Sequence, residues 1–315
     1  KSGNIIVKQL ETLSEILQAV IFDKSHVEIA RINFDDIDNL EKLSENLINS
    51  LPKENLKHIF LMSDGLLING SELVRGINKV NKLVPVTGGM AGDGARFGET
   101  YVIANDVPSQ RTIVAIGFYG DLFVQSGCFA GWSEFGVERV ITKSKDNILY
   151  EIDGMPALDL YKKYLAEYAS DLPNSGLRFP LNIKKDDNSN EVIRTLLGID
   201  EESKSITFAG DVPEGYKARL MKPNINELID GAGKAAESIS KLNEKSALGL
   251  IVSCVGRKIV MNQLIDEELE IIQDILGNSV KLVGFYSYGE IAPFKDDLLT
   301  CELHNQTMTL TVIFE

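Results

Sequence analysis

The chain has 315 residues, 44% hydrophobic and 25% charged, with a formal net charge of −14; this is an ordinary globular balance with length enough for about two domains. The acidity excludes nucleic acid or an anionic membrane as the main partner, because both are held by basic patches. Three widely spaced cysteines (Cys128, Cys254, Cys301) with no CxxC or HExxH pattern exclude a disulfide scaffold and the standard metal sites.

In chain order, residues 14–21 and 26–34 read as strands, since His26-Val27-Glu28-Ile29-Ala30-Arg31-Ile32 alternates polar and apolar side chains. Asp35 or Asp36 is placed to cap a helix in which Ile37, Leu40, Leu43, Leu47 and Ile48 recur at helical spacing, with Pro52 past its end. Residues 59–62 are a short buried strand running into Ser63-Asp64-Gly65. Ser71 then caps a helix with Leu73, Val74, Ile77 and Val80 on one face. Residues 83–86 enter a glycine-rich turn, Gly88-Gly89-Met90-Ala91-Gly92-Asp93-Gly94, and residues 100–104 and 112–119 follow as strands.

The same order returns later. It comprises a strand at 216–221, a helix from Asn224 or Asn226, a buried strand at 248–252 ending in Ser253-Cys254-Val255-Gly256-Arg257, and a helix from Asp266 stopped by Gly277. A strand at 280–283 then enters a second glycine turn, Gly284 to Gly289, and strands at 300–303 and 308–314 finish the chain. Asn105 and Asn305 hold matching places before the last strand of each half. The repetition predicts an internal duplication, an α/β fold of two related halves, each a mixed sheet with helices packed on it. Residues 124–205 carry elements of their own, including Trp132 between glycine and serine, a helix opened by Met155-Pro156, and a polar loop at 184–191.

Several of these segments together resemble the FIST family (F-box and intracellular signal transduction proteins). They are Val86-Thr87-Gly88-Gly89-Met90-Ala91-Gly92-Asp93, Gly131-Trp132, Asp153-Gly154 with Pro156-Ala157-Leu158, Arg194, Pro213-Glu214-Gly215, Ser253-Cys254-Val255-Gly256-Arg257, Gly284-Phe285-Tyr286-Ser287-Tyr288-Gly289-Glu290-Ile291-Ala292 and His304-Asn305-Gln306-Thr307. The resemblance implies an N-terminal FIST domain over 1–148, shortened or divergent at its start, and a C-terminal one over 149–315. The implied role is that of a cytoplasmic sensory module without catalytic residues. It would bind a small molecule, with amino acids among the suggested ligands, and signal through a separate histidine kinase, diguanylate cyclase or phosphodiesterase, or chemoreceptor. A haem-based gas sensor is an alternative; its histidine ligands would have to come from His26, His58 or His304.

The residues themselves supply candidate groups. Arg257 and Glu290 each follow a buried strand, and ligands of open α/β sheets gather at the carboxyl ends of strands. The guanidinium suits a carboxylate and the carboxylate an ammonium, so the pair reads either as two ends of a zwitterion site or as an ion pair with each other. His304 and Asn305 can contact a ligand or satisfy the turn that holds them. Cys254 beside Arg257 is either a small core residue or, with His304 as base, the nucleophile of a thiol-dependent enzyme. Asp93 sits on the first glycine turn. Tyr286, Tyr288 and Trp132 can wall a pocket or cover the seam between halves.

Overall fold

The computed structural model describes residues 6–11, 16–34, 39–105, 107–239 and 246–315. Ile6–Glu11 (β1) and Ile16–Ile21 (β2) pair as an antiparallel ribbon. The first half runs through His26–Asn33 (β3), Leu40–Ser50 (α1), Leu56–Ser63 (β4), Gly70–Val80 (α2), Val86–Ala91 (β5), the small hairpin Val102–Ala104 (β6) and Val107–Ser109 (β7), and Thr112–Tyr119 (β8). Phe123–Phe129 (β9) starts the second half. There follow Ser133–Lys145 (β10), Ile148–Ile152 (β11), Met155–Pro156 (β12), Ala157–Leu165 (α3), 3-10 turns at 166–171 and 174–178, Leu181–Lys184 (β13), Val192–Arg194 (β14), Leu196–Asp200 (β15), Ser205–Phe208 (β16) and Lys217–Lys222 (β17). The second half resumes with Ile225–Glu237 (α4), Ala247–Cys254 (β18), Val255–Met261 (α5), Asp266–Leu276 (α6), Val280–Phe294 (β19), Asp297–His304 (β20) and Met308–Phe314 (β21).

The duplication is visible in the strand order. One nine-stranded sheet reads β3-β8-β4-β5-β19-β18-β21-β9, with β20 added on β19. Outward from the centre, β5 lies parallel to β4, β4 antiparallel to β8, and β8 antiparallel to β3. On the other side β19, β18, β21 and β9 repeat that series. An antiparallel pairing of β5 with β19 joins the two halves. The fold is thus α/β with two related mixed sheets carrying helices, and these sheets are continuous with each other. The strand expected at 216–221 is present as β17, but it belongs to a second, eight-stranded sheet. The true counterpart of β3 is β9, which sequence order hid because β10 to β17 are inserted between it and α4.

The register repeats as closely as the order. Leu61 faces Gly88 across β4 and β5, and Ile251 faces Gly284 across β18 and β19; both parallel pairs reach a serine two residues later, Ser63 and Ser253. A Cβ on Gly88 would lie 1.9 Å from the Leu61 carbonyl oxygen, and one on Gly284 2.0 Å from that of Ile251. The glycines let backbone meet backbone at the same point in each half.

The joined sheet folds back on itself. Thr87 of β5 and Thr311 of β21 are separated in the order by β19 and β18, yet their hydroxyls are 2.7 Å apart. On β4, Ile59 and Leu61 pack outward among Leu40, Leu47, Ile48, Leu73, Val74 and Ile77 of α1 and α2. Phe60 packs inward in a cluster that holds Val252, Leu310 and Ile313. Period-2 alternation on the strands and the apolar stripes of the helices therefore build helix, sheet, sheet and helix layers. Each Leu or Ile buried this fully contributes roughly 1.5–3 kcal/mol. The helix starts differ from the expected caps: Asn39 accepts from Lys42 N at 2.8 Å and Asn69 from Ser71 N at 2.9 Å, so Ser71 is inside α2. Asp35 and Asp36 lie outside the described residues.

The inserted sheet, ordered β14-β13-β17-β10-β11-β16-β15, has its own core around Tyr161, Leu158, Ile206 and Phe208. It is fastened to the main sheet by two polar anchors. Arg194, 3% exposed, donates to Asp211 O at 2.9 Å and to Leu303 O of β20 at 2.8 Å. Asp211 N donates to Ser71 Oγ at 3.0 Å, and its carboxylate takes Asn69 Nδ2 and Arg75. Gly88→Ala and Gly284→Ala should each lower the unfolding free energy by about 3 kcal/mol, the upper end of overpacking costs. Urea denaturation checks this, and a change below about 1 kcal/mol in either would contradict the matched close approach.

Candidate functional site

The join between β5 and β19 brings two sets of strand ends together. Ala91, the last residue of β5, pairs with Ser287, and Cys254, the last of β18, pairs with the same Ser287 from the other side. The carboxyl ends of the parallel pairs β4/β5 and β18/β19 therefore converge, and this is where open α/β sheets present ligand sites.

In the second half that end is filled. The chain leaves β18 directly into α5, which turns Arg257 into the interior at 0% exposure. Its guanidinium meets Glu268 of α6 at 2.9 Å, the carbonyl of Leu228 at 2.8 Å and that of Ala130. Glu268 also accepts from Ser253 Oγ at 2.8 Å. Arg257 is therefore paired with Glu268 and not with Glu290, which corrects the pairing expected from sequence. Such a pair is fully desolvated, and loss of one partner would strand the other charge at a cost of about 3–5 kcal/mol.

Glu290, also 0% exposed, accepts at Oε2 from Thr307 N at 3.1 Å and Thr307 Oγ1 at 2.9 Å. Its Oε1 meets Ser287 Oγ, which lies 3.3 Å from Ser253 O. Burial raises its pKa, and these hydrogen bonds counter only part of that, leaving it at about 7. The Ser287 hydroxyl donates to Oε1 with Ser253 O as its second acceptor, and burial favours the neutral carboxyl below pH 7. Cys254 is buried and its thiol is pushed far up by burial, so it stays protonated. His304 Nε2 lies 3.1 Å from Ala292 O, and burial lowers its pKa to about 4. Asn305 accepts from Thr195 N at 3.3 Å and Trp132 Nε1 donates to Gln306 O at 3.1 Å, so both tie the inserted sheet and its flank to the main one. Tyr286 is half-buried under Lys258, whose Nζ is 4.4 Å from the ring centre.

In the first half the equivalent end is open. The chain leaves β4 through a loop, residues 64–69, in place of a helix. Asp64 fixes that loop by accepting from Leu66 N at 2.9 Å, Leu67 N at 3.0 Å and Arg111 N at 3.0 Å. Above it lies a cleft of about 490 Å³ between the main and inserted sheets. Leu66, Leu67 and Ile68 with Met90, Phe97 and Tyr288 form one wall; Leu177, Leu196, Leu197 and Phe208 form the other. Asn69, Asn147 and Asn174 supply amide groups, and among the described residues no ionisable side chain other than the tyrosine lines it. Four of the lining apolar side chains stand partly in solvent: Leu66 at 36%, Leu67 at 47%, Phe97 at 41% and Leu197 at 46%.

Of the residues singled out in the sequence, Tyr288 lines this cleft. Its ring stacks on Phe97 at 4.8 Å, and its hydroxyl donates to Asp93 and to Gly94 O. Burial raises the Asp93 pKa, but the Tyr288 hydroxyl and the backbone N–H groups of Gly98, Glu99 and Phe97 outweigh it and hold the carboxyl at about 2. Asp93 is thus the ionised knot of the loop that carries Phe97. Arg257, Glu290, Cys254, His304, Asn305, Tyr286 and Trp132 do not line the cleft. The other lining residues carry no polar signal in the sequence, although Leu66-Leu67-Ile68 is an apolar run between a strand end and a helix cap. Among the described residues no three His, Cys, Asp or Glu side chains are grouped as a metal site, and no helix is long and apolar enough to cross a membrane.

Comparison with known proteins accords with this architecture. A model of the FIST N domain matches residues 2–155 and one of the FIST C domain matches 157–293, together nearly the whole chain. An uncharacterized protein of Methanocaldococcus jannaschii is 25% identical over 260 residues, covering 74% of this chain and 49% of that protein. The chain therefore spans about half the length of this curated relative.

The Glu290 carboxyl makes a pH-dependent contribution with a definite sign. Its folded pKa is raised above the unfolded value of 4.5 to about 7, so its contribution is full below pH 4.5 and lost as pH rises through 7. Glu290→Gln preserves the hydrogen bonds of the neutral form. The unfolding free energy of the parent minus that of the variant should fall by about 3 kcal/mol between pH 4.5 and 7. Paired denaturation curves check it; a flat difference would mean that Glu290 is ionised throughout.

Proposed function

This chain belongs to the FIST family, and we propose that it is a small-ligand sensor whose ligand enters the cleft between residues 64–69 and the inserted sheet. FIST domains are sensory domains of signal transduction. The observation that carries the reading is the cluster of solvent-exposed apolar side chains, Leu66, Leu67, Phe97 and Leu197, around one concave site at the carboxyl ends of β4 and β5. Its volume is in the range of small-molecule sites, and such sites are apolar with a few placed polar groups.

The lining also supports a ligand class. With amides and a tyrosine but no charged side chain, the cleft suits a neutral, partly apolar metabolite better than a zwitterion, whose charges would be desolvated without partners. An amino acid is therefore the less favoured ligand. Haem would find no histidine among the lining residues. A ligand held by both walls would favour one arrangement of the inserted sheet on the main sheet, and that population shift is what a partner would read. The proposed partner is a separate histidine kinase, cyclic-dinucleotide enzyme or chemoreceptor. A cytoplasmic setting belongs to the same proposal and is supported by three unpaired cysteines.

Thermal melting against a panel of neutral aromatic and amide metabolites, with amino acids as the contrasting set, tests the proposal. A ligand at 100 times its Kd adds about 2.7 kcal/mol, a shift of a few degrees at this size. Leu197→Asp, at a half-exposed position, should leave the unliganded melting point near the parent's and abolish the shift. A hit whose shift survives Leu197→Asp and Leu67→Asp would place the ligand elsewhere.

A further inference from the structure

At the opposite, amino ends of β4 and β5 lies a second cavity, of about 560 Å³, none of whose lining residues lines the first. It is bounded by the edge strand β9, by His58 and Pro85 where β4 and β5 begin, and by the turn between β19 and β20. Phe129, Phe294 and Leu298 give it an apolar lining. Its charged lining residues are Lys295 and Asp296, both exposed on that turn.

His58 is the anomaly in this wall. The side chain is 0% exposed, and its Nε2 lies 2.8 Å from Thr87 Oγ1, which continues to Thr311 Oγ1. The other ring nitrogen, Nδ1, is buried without a hydrogen-bond partner. Leaving such an atom unsatisfied costs about 1–3 kcal/mol, and a bound molecule that completes the bond removes that cost. Gln125, Ser126, Asn190 and Ser238 add polar groups to the wall, Ser238 Oγ donating to Ala235 O at 2.7 Å. His304 is occupied by Ala292 O, and Cys128 accepts from Thr309 Oγ1 at 3.3 Å with its thiol pushed up to about 11.

We propose that this cavity is a second binding site, for a neutral, mainly apolar molecule carrying one hydroxyl that meets His58 Nδ1. The apolar lining selects the body of the molecule. The hydroxyl follows from the ring: a neutral imidazole presents either a lone pair or an N–H at Nδ1, depending on how Nε2 shares its proton with Thr87, and a hydroxyl can answer both. Neutrality follows from the setting, because burial drives the His58 pKa down to about 3, so the ring offers no charge to an anion. The site stands apart from the cleft at the other strand ends, and either can fail without the other.

The test uses p-cresol as the hydroxylated probe and toluene as its match without the hydroxyl. The chain has three histidines, so an imidazole nitrogen spectrum of ¹⁵N-histidine protein is sparse enough to follow His58 alone. Titration with p-cresol should move the His58 Nδ1 resonance saturably. Toluene should bind roughly 2–12-fold more weakly, the range one net hydrogen bond provides. In His58→Phe the two probes should bind equally. The titration of the parent decides the matter even if that variant does not fold. A His58 signal unmoved by p-cresol at millimolar concentration would mean that an ordered water or nothing satisfies Nδ1. Equal affinity of the two probes in the parent would mean that the hydroxyl is not read. Either result overturns the proposal.

Discussion

Everything in this molecule turns on a single antiparallel join, β5 against β19, with Ser287 held between the last residues of β5 and β18. Without it the two related halves would be separate sheets, each with an exposed central edge. With it their parallel strand pairs point carboxyl ends toward one another, and the sheet curls until Thr87 touches Thr311. The glycines at 88 and 284 make the tight backbone contacts that this register demands in both halves.

The halves have diverged in the segment after the first parallel strand. After Ser253 the chain forms α5, and the buried ion pair of Arg257 with Glu268 fills the space that a ligand would need. After Ser63 it forms only a loop, braced by Asp64, and the space above remains concave and apolar. One strand end is thereby filled by structure and the other left open. The inserted sheet completes the division. Arg194 and Asp211 hold it over the open end, and Leu177, Leu196, Leu197 and Phe208 form the second wall of the cleft.

Much of this architecture is legible in the chain. The helices α1, α2, α4 and α6 announce themselves by apolar spacing, and Gly88 and Gly284 mark equivalent positions; the turns expected there are strand instead, β5 running on to Ala91 and β19 passing unbroken through 284–289 to Phe294, because the glycines serve close backbone contact. The insertion is not legible, because β17 precedes α4 just as β3 precedes α1, and strand partners cannot be read from local pattern. The site was legible only in part. Arg257 and Glu290 look like ligand groups because charged residues at strand ends are rare in packing. Their actual partners, Glu268 on α6 and Ser287 and Thr307 across the hairpin, are set by tertiary contacts. Tyr288, singled out beside Gly289, lines the cleft from the interior of β19 and not from a strand end. Leu66, Leu67 and Leu197 carry no polar signal, and they matter only because two sheets bring them to face each other.

In the proposed sensor the open strand end, and not the one sealed by Arg257, receives the ligand. A crystallographic fragment screen asks this directly, because every bound fragment reports its own position. Neutral ring-containing fragments should collect between residues 64–69 and Leu196, Leu197 and Phe208, with α5 unmoved. Fragments gathered instead beside Arg257 and Glu290, with α5 displaced, would contradict it.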